Sequence, residues 1–585
     1  MKKQPGTDAL ADRWREEWPR ALAVWSKFTR LRSPLLCGTD AEARREGLDG
    51  SFAMIRLHDQ AIVVNLEEVL ARGLGDYGVE ILAHEIGHHI LAPATLTEHA
   101  RTLARMRKAL PMHEAHAPMI ANLYTDLLIN DRLQRGARLR LVDIYQKIKA
   151  EASQSKVWNL YMRIYEILWS LRTGTLGIPV LPEDMEGDAV LGARLIRSFA
   201  SEWLRGSGRF AALMLPYVME DQKASKAMRV FSVWSDTKDA SIGGMPTGLT
   251  DEDPAEQSEN VHPAEDEAGG SVPADSRTVP GGAAGQARQP FEYGEILRSA
   301  GIKLEDHEVA VRYYRERARK HLLPFPRRKM PESQDPLPEG LEPWEMGESL
   351  DAIDWMQTIL QSPRVIPGVT TVQRIWGLAE GTMPGFRPFD LDLYVDSSGS
   401  MLNPQRQLSY PALAGAILCL SALRAGARVQ VTLWSGKQQF LTTDGFIQDE
   451  DKILKVLTGY FGGGTAFPLH ILRVTYLHRR VARMAHVMVV SDDGVTTMFD
   501  SDERGASGWD IAGQALAKAG GGGSLVLNLP AYWDQGKTDL SRDLCRAREE
   551  QGWDIYPVGQ WEELTSFARE FSRRHYHPKN EETHR

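Results

Sequence analysis

Cysteine is scarce: Cys37, Cys419 and Cys545 are the only three in 585 residues. An odd number of thiols so far apart indicates neither a disulfide framework nor a cysteine zinc site, so any metal must be held by histidine, carboxylate or hydroxyl groups. Positive charge is also short. Against 78 Asp and Glu stand 69 Lys and Arg, a net charge of −9, which removes the general attraction for nucleic acid or an acidic membrane. Long apolar runs are missing as well: the longest, LAGAILCLSAL, is too short to span a bilayer, and the N-terminal MKKQPGTDALADRWREEW lacks the apolar core of a signal peptide. The expectation is a cytoplasmic protein with neither nucleic-acid nor membrane partners.

What is present is the composition of a soluble globular chain, 42% hydrophobic and 25% charged, in a length that calls for two to four domains. SFAMIRLHDQAIVVNL reads as a β-hairpin turning near His58, Asp59 and Gln60, and from there to Asp221 the periodicity is helical. Residues 236–290, rich in Pro, Gly, Ser and acids, read as an acidic disordered linker. Helical patterns and a Pro-rich passage follow. From Phe389 short apolar strands alternate with helices, which predicts a mostly parallel, doubly wound α/β sheet covered on both faces. The expected architecture is therefore an N-terminal α+β, mostly helical domain at 1–150, a helical extension at 151–235, the linker at 236–290, a helical connector at 291–385, and an α/β domain at 386–580.

Within ILAHEIGHHILAP, residues i and i+4 share a helix face, so His84 and His88 can bind one zinc ion while Glu85 stands beside it to deprotonate water. His89 points about 100° around the helix from His88 and reads as a neighbour. The motif sits in an apolar helix preceded by the strand AIVVNL, the order in which zincin metallopeptidases place an edge strand before the active-site helix. In motif and local order the first 150 residues resemble zincins. The helix MIANLYTDLLINDRL resembles the N-x-x-x-D-x-x-x-N helix of bacterial metallopeptidase-like proteins that carry von Willebrand factor A domains, which puts Asn122, Asp126 and Asn130 on one face. That likeness implies Asp126 as third zinc ligand or as the group that orients a histidine; His113, Glu114, His116 and Glu98 are alternatives. The chemistry implied is peptide-bond hydrolysis with Glu85 as base and the edge strand aligning the peptide, with Tyr124 or His116 as possible oxyanion stabilisers.

In the C-terminal region DLYVDSSGSM sets Asp396, Ser398 and Ser400 in a D-x-S-x-S pattern on the loop leaving a strand. Hard oxygen ligands in that spacing suit Mg2+ or Mn2+. The pattern resembles the metal-ion-dependent adhesion site of von Willebrand factor A domains, and the likeness implies two more ligands, Thr465 in YFGGGTAF and Asp492 in VMVVSDDG. The doubled Asp492-Asp493 departs from the family's single Asp before Gly. In such sites an acid from a partner protein completes the metal shell. The passage PWEMGESLDAIDWMQTILQSPRVIPGVTT resembles the segment preceding this domain in bacterial proteins encoded beside MoxR-type AAA+ ATPases, which makes such an ATPase the implied partner. The expected function is a zinc metallopeptidase acting on a protein or peptide substrate and recruiting its partner or substrate through the A domain. The alternative is a non-proteolytic adaptor of an AAA+ remodelling or metal-insertion complex.

Overall fold

The computed structural model describes residues 6–26, 28–148, 155–223, 237–238, 245–253, 256, 262–263, 286–325, 327–329, 334–380, 386–478, 483–529, 533–535 and 538–576. The chain divides into two compact units, Met1–Glu316 with Pro404–Leu408, and Arg317–Asn403 with Ser409–Arg585.

In the first unit, β-branched residues build a small sheet from β1 (Leu35–Cys37), β2 (Ala53–Arg56), β3 (Ala61–Asn65) and β4 (Thr237–Lys238) in the order β1-β3-β2-β4. β2 and β3 form the expected hairpin, with Gln60 at φ 59° closing the turn. The strand AIVVN is not an edge. β3 pairs in parallel with β1 on one side and antiparallel with β2 on the other, and all five of its residues are buried. The short β1 lies 26 residues earlier in the chain and carries no alternating pattern that would advertise it.

Around this sheet pack α1 (Thr7–Trp25), α2 (Gly78–Ile90), α3 (Leu96–Ala109), α4 (Ala117–Asp131), α5 (Leu141–Ile148), α6 (Lys156–Leu168), α7 (Glu183–Ser198) and α8 (Trp203–Lys223). Helix α2 is the hub. Its Gly78 lies against Trp14 of α1, the Trp25 indole donates to the Ala83 carbonyl at 2.7 Å, and Gly87 admits Ile129 of α4. α4 is buried on nearly every face, so its polar residues Asn122, Asp126 and Asn130 must find partners inside the protein.

Of the stretch read as a linker, the described parts are folded onto the first unit. Asp251 bridges Ala287, the Arg105 guanidinium donates to Asp253 at 2.7 Å, and buried Arg288 grips both oxygens of Glu256 at 2.9 Å. The remainder of 236–290 lies outside the described residues. The passage expected as a helical connector is helical at Pro290–Ser299 and Asp306–Arg319, but it then turns extended: Gln334–Pro343 pairs antiparallel with Val372–Glu380. Prolines at 336, 338, 343, 363 and 367 exclude a long helix there.

The second unit carries a six-stranded sheet of β5 (Asp390–Asp396), β6 (Val429–Trp434), β7 (Phe440–Thr442), β8 (Ala485–Ser491), β9 (Gly520–Asn528) and β10 (Trp553–Val558), in the order β7-β6-β5-β8-β9-β10. All neighbours are parallel except the edge strand β7. One face packs Tyr394, Val487, Val489 and Leu525 against helix Gly508–Ala519, including Ile511 and Ala512. On the other, Leu393 meets Gly415 of helix Tyr410–Arg424, a helix apolar all round and correspondingly buried. The parallel sheet expected from the alternating pattern is thus present. Its order reverses between β5 and β8, and a crevice at the carboxyl ends of two such strands is where open α/β sheets place ligands.

Candidate functional site

Two clusters of sequence-singled residues come together, one in each unit. In the first, α2 and α4 face each other so that His84 Nε2 and His88 Nε2 lie 3.7 and 3.4 Å from Asp126 Oδ1. Among the described residues, this is the only set of three His, Cys, Asp or Glu side chains close enough to share a metal ion. The remote nitrogens fix the tautomers. His88 Nδ1 lies 2.9 Å from the Ala92 carbonyl, which can only accept, so this nitrogen carries the proton and Nε2 turns its lone pair to Asp126. His84 Nδ1 lies 2.8 Å from Asn130 Oδ1, while the Asn130 amide donates to the hydroxyls of Tyr145 and Tyr165, both at 2.9 Å.

Two imidazole nitrogens that turn lone pairs to one carboxylate oxygen across 3.4–3.7 Å are repelled by it unless a cation or a proton lies between them. A tetrahedral zinc site with bonds of about 2.0–2.1 Å has ligand atoms about 3.3–3.4 Å apart, so the observed set fits zinc. Asp126 Oδ1 accepts no hydrogen bond, whereas Oδ2 accepts from Asn122 at 3.2 Å. Burial pushes the Asp126 carboxyl up to about 7, with His84 pulling the other way, and a divalent cation would offset that cost. The spacing of Asn122, Asp126 and Asn130 by four thus serves three ends: one residue braces the carboxylate, one faces the imidazoles, and one orients His84.

Glu85, next on α2, lines a cleft of about 40 Å³ with His84, Phe52, Ile81, Ile144 and Tyr145. The other candidates have different duties. His89 reaches Gln60 in the hairpin turn at 2.6 Å; Glu98 accepts from the Ala94 amide at 3.0 Å ahead of α3; His113 stacks on His116. None of Glu98, His113, Glu114 and His116 joins the cluster. The Tyr124 hydroxyl donates to the Trp203 carbonyl at 2.6 Å inside the core, which removes it as an oxyanion donor at the cleft. Missed by sequence reading was a trio of tyrosines. Tyr145, Tyr161 and Tyr165 join hydroxyls at 2.9–3.4 Å behind Asn130, and the i, i+4 pair in WNLYMRIYEILW is the signal that could have found them.

In the second unit Asp396 and Asp492 stand at the carboxyl ends of the adjacent strands β5 and β8, where the sheet order reverses. Asp396 Oδ1 accepts from the Ser398 amide at 2.8 Å and Oδ2 from the Ser491 hydroxyl at 2.6 Å. Ser398 and Ser400 hydroxyls lie 3.1 Å apart, and Ser400 donates to Asp492 Oδ2 at 2.6 Å. Thr465 lies nearby: a Cβ added to Gly494 would fall 2.4 Å from Thr465 Cγ2 and 3.1 Å from Asp492 Oδ1. Asp396, Ser398, Ser400 and Asp492 are thus linked through their oxygens, with Thr465 beside Asp492, and oxygen-only donors of this kind suit Mg2+. Burial raises the Asp396 carboxyl above its ordinary value and Asp492 adds to the shift, while hydrogen bonds from Ser491 and Ser398 oppose it. Asp396 and Ser398 are buried and Ser400 is exposed, so the cluster opens to one side. The Asp493 side chain lies outside the described residues.

No family model matches the chain, and no curated protein matches it. Solved structures similar to it include the open conformation of the pilus adhesin SpaC from Lactobacillus rhamnosus GG, at 13% identity and a TM-score of 0.23 over 32% of this chain and 30% of the adhesin. An aerotolerance-related membrane protein from Bacteroides fragilis NCTC 9343, with multiple mutations to serines, shows 13% identity and a TM-score of 0.21 over 32% of this chain and 99% of that one. A von Willebrand factor type A structure from Catenulispora acidiphila shows 14% identity and a TM-score of 0.20 over 33% and 44%. The chain spans less than a third of the adhesin's length. Likeness at this level names no family and assigns no residue, and no described helix is long and apolar enough to cross a membrane.

Proposed function

We propose that the first unit is a zinc-dependent peptide hydrolase and that the second binds Mg2+ and docks a protein partner through it. The approach of His84 Nε2 and His88 Nε2 to Asp126 Oδ1, at 3.7 and 3.4 Å, beside a cleft lined by His84 and Glu85, carries the first part. Zinc held by these three residues would supply Lewis acidity toward a carbonyl oxygen and would acidify water at its fourth position. The Glu85 carboxylate takes the proton of the attacking water and passes it to the leaving amine. Asn130 and the Ala92 carbonyl hold the imidazoles in the ligating tautomer. With β3 paired on both sides, the substrate backbone cannot add to that strand, and the side chains of Phe52, Ile81 and Tyr145 at the cleft do the positioning instead. Asp396, Ser398, Ser400, Thr465 and Asp492 would hold the Mg2+, and a docked partner would supply a further carboxylate there; a MoxR-type AAA+ ATPase is the candidate, supported by sequence resemblance alone.

One observation favours a second reading, a non-proteolytic adaptor for such an ATPase. His88 is fully buried and Glu85 and Asp126 are each 1% exposed, so little of the cluster is open to a peptide chain. Metal content by mass spectrometry of wild type and Glu85→Gln, paired with cleavage of an unstructured protein, separates the two. The hydrolase gives one zinc per chain in both and cleavage lost by at least about 100-fold in the variant. Zinc in both with cleavage in neither, even with the partner present, selects the adaptor; zinc in neither removes both roles from His84 and His88.

A further inference from the structure

Helix Trp355–Gln361 is inside out. Thr358 is its buried residue, and the hydroxyl oxygen of Thr358 accepts from the Val372 amide at 3.1 Å, while Trp355, Met356, Ile359 and Leu360 face solvent. The exposure is large, 68% for Met356 and 70% for Leu360. Nor is the helix a frayed end: Asp354 caps it by accepting from the Gln357 amide at 3.0 Å and also binds Arg374, and the loop beneath is pinned by Trp344, whose amide donates to the Thr371 carbonyl at 2.8 Å. Met346 packs beside Gly368, next to Val369, which is 71% exposed, so the apolar surface continues past the helix. Solvated apolar surface on this scale, on an ordered frame, marks a binding face.

The rim identifies the occupant. Residues 339–377 carry six carboxylates and two arginines, one of which, Arg374, is already bound to Asp354. Glu342, Glu345, Glu348 and Asp351 are all exposed. An acidic lipid surface or a second copy of this chain would bring like charge to that rim. Strand addition is opposed by Pro336, Pro338 and Pro343, which leave gaps in the donor row of Gln334–Pro343. We propose that this face docks a basic amphipathic helix of a protein partner, its apolar stripe seated on Trp355, Met356, Ile359 and Leu360 and its lysines or arginines toward the acidic rim.

The test uses the full chain and a fluorescein-labelled helical peptide of leucine and lysine, with leucine at i, i+3, i+4 and i+7, read by anisotropy at low salt. Wild type binds it, a counterpart with glutamate for lysine does not bind, and Met356→Glu/Leu360→Glu weakens binding by roughly tenfold or more. Because this variant adds negative charge, general attraction for lysine would instead tighten binding. A second variant, Glu345→Lys/Glu348→Lys, changes only exposed rim residues and also weakens binding. Equal binding of both peptides, or unchanged binding by either variant, overturns the proposal. So does self-association of wild type that Met356→Glu/Leu360→Glu abolishes, which makes a second copy the occupant. Protection of Met356 from hydroxyl-radical oxidation in the free monomer also overturns it, since the chain would then cover its own face.

Discussion

Asp392 shows how a buried charge is tolerated and at what pH it stops being one. It sits in the middle of β5, where the Tyr476 and Tyr394 hydroxyls donate to Oδ2 at 2.8 and 3.2 Å and the Gln430 amide donates to Oδ1 at 3.1 Å. Burial pushes its carboxyl up to about 7, and those three hydrogen bonds pull it part of the way back. The folded protein therefore holds a proton at pH values where the unfolded chain has already lost it. The resulting stability is complete below about pH 4 and is lost as pH rises through about 7. Asp392→Asn keeps the shape without the charge, so the variant should match wild type near pH 4 and exceed it at pH 8 by on the order of 2–4 kcal/mol. Urea unfolding of both proteins across that range checks it, and a constant gap would mean that Asp392 is ionised throughout. Asp126 is pushed to the same value by the same cause, yet only there do two imidazole nitrogens face the acid, which sets a candidate metal ligand apart from a structural carboxylate.

Helix α2 owes its place to a residue without a side chain. A Cβ at Gly87 would stand 2.5 Å from Ile129 Cγ2 and 2.7 Å from Trp25 Cζ2, so the approach of α2 to α4, and with it the distance from His88 to Asp126, depends on glycine there. Gly87→Ala gains helix propensity worth up to about 1 kcal/mol. It also overpacks a closed contact at a cost of about 1–3 kcal/mol, and overpacking should win because Ile129 is fully buried. The expected result is a lower melting temperature and weaker zinc retention in competition with a chelator; an unchanged melt with normal retention would show that the two helices have slack.

At this scale the sequence was partly legible. The i, i+4 spacing of His84 and His88 and the alternation of strand and helix after Phe389 declare themselves, because both follow from the geometry of single elements. Asp126 and Thr465 came only through likeness, since neither has a local pattern marking it as a ligand. The interior position of β3 was hidden because its second neighbour, β1, is only three residues long and lies 26 residues earlier in the chain. Likewise Tyr145, Tyr161 and Tyr165 read as ordinary helix-face aromatics until folding brought their hydroxyls to Asn130.

Across the whole molecule, the two candidate metal sites fall in different units and share no residue. Asp396→Ala should therefore abolish Mg2+-dependent capture of the partner while leaving zinc content as in wild type; equal capture by wild type and variant would end the docking role of that site. The outward stripe of helix Trp355–Gln361 bears on handling as well as on recognition. Sulfate strengthens apolar association and screens the acids that keep molecules apart. Purified alone, wild type should precipitate from ammonium sulfate at a lower concentration than Met356→Glu/Leu360→Glu, so a salt fractionation step would concentrate the unpartnered chain and leave the chain with its stripe occupied in solution.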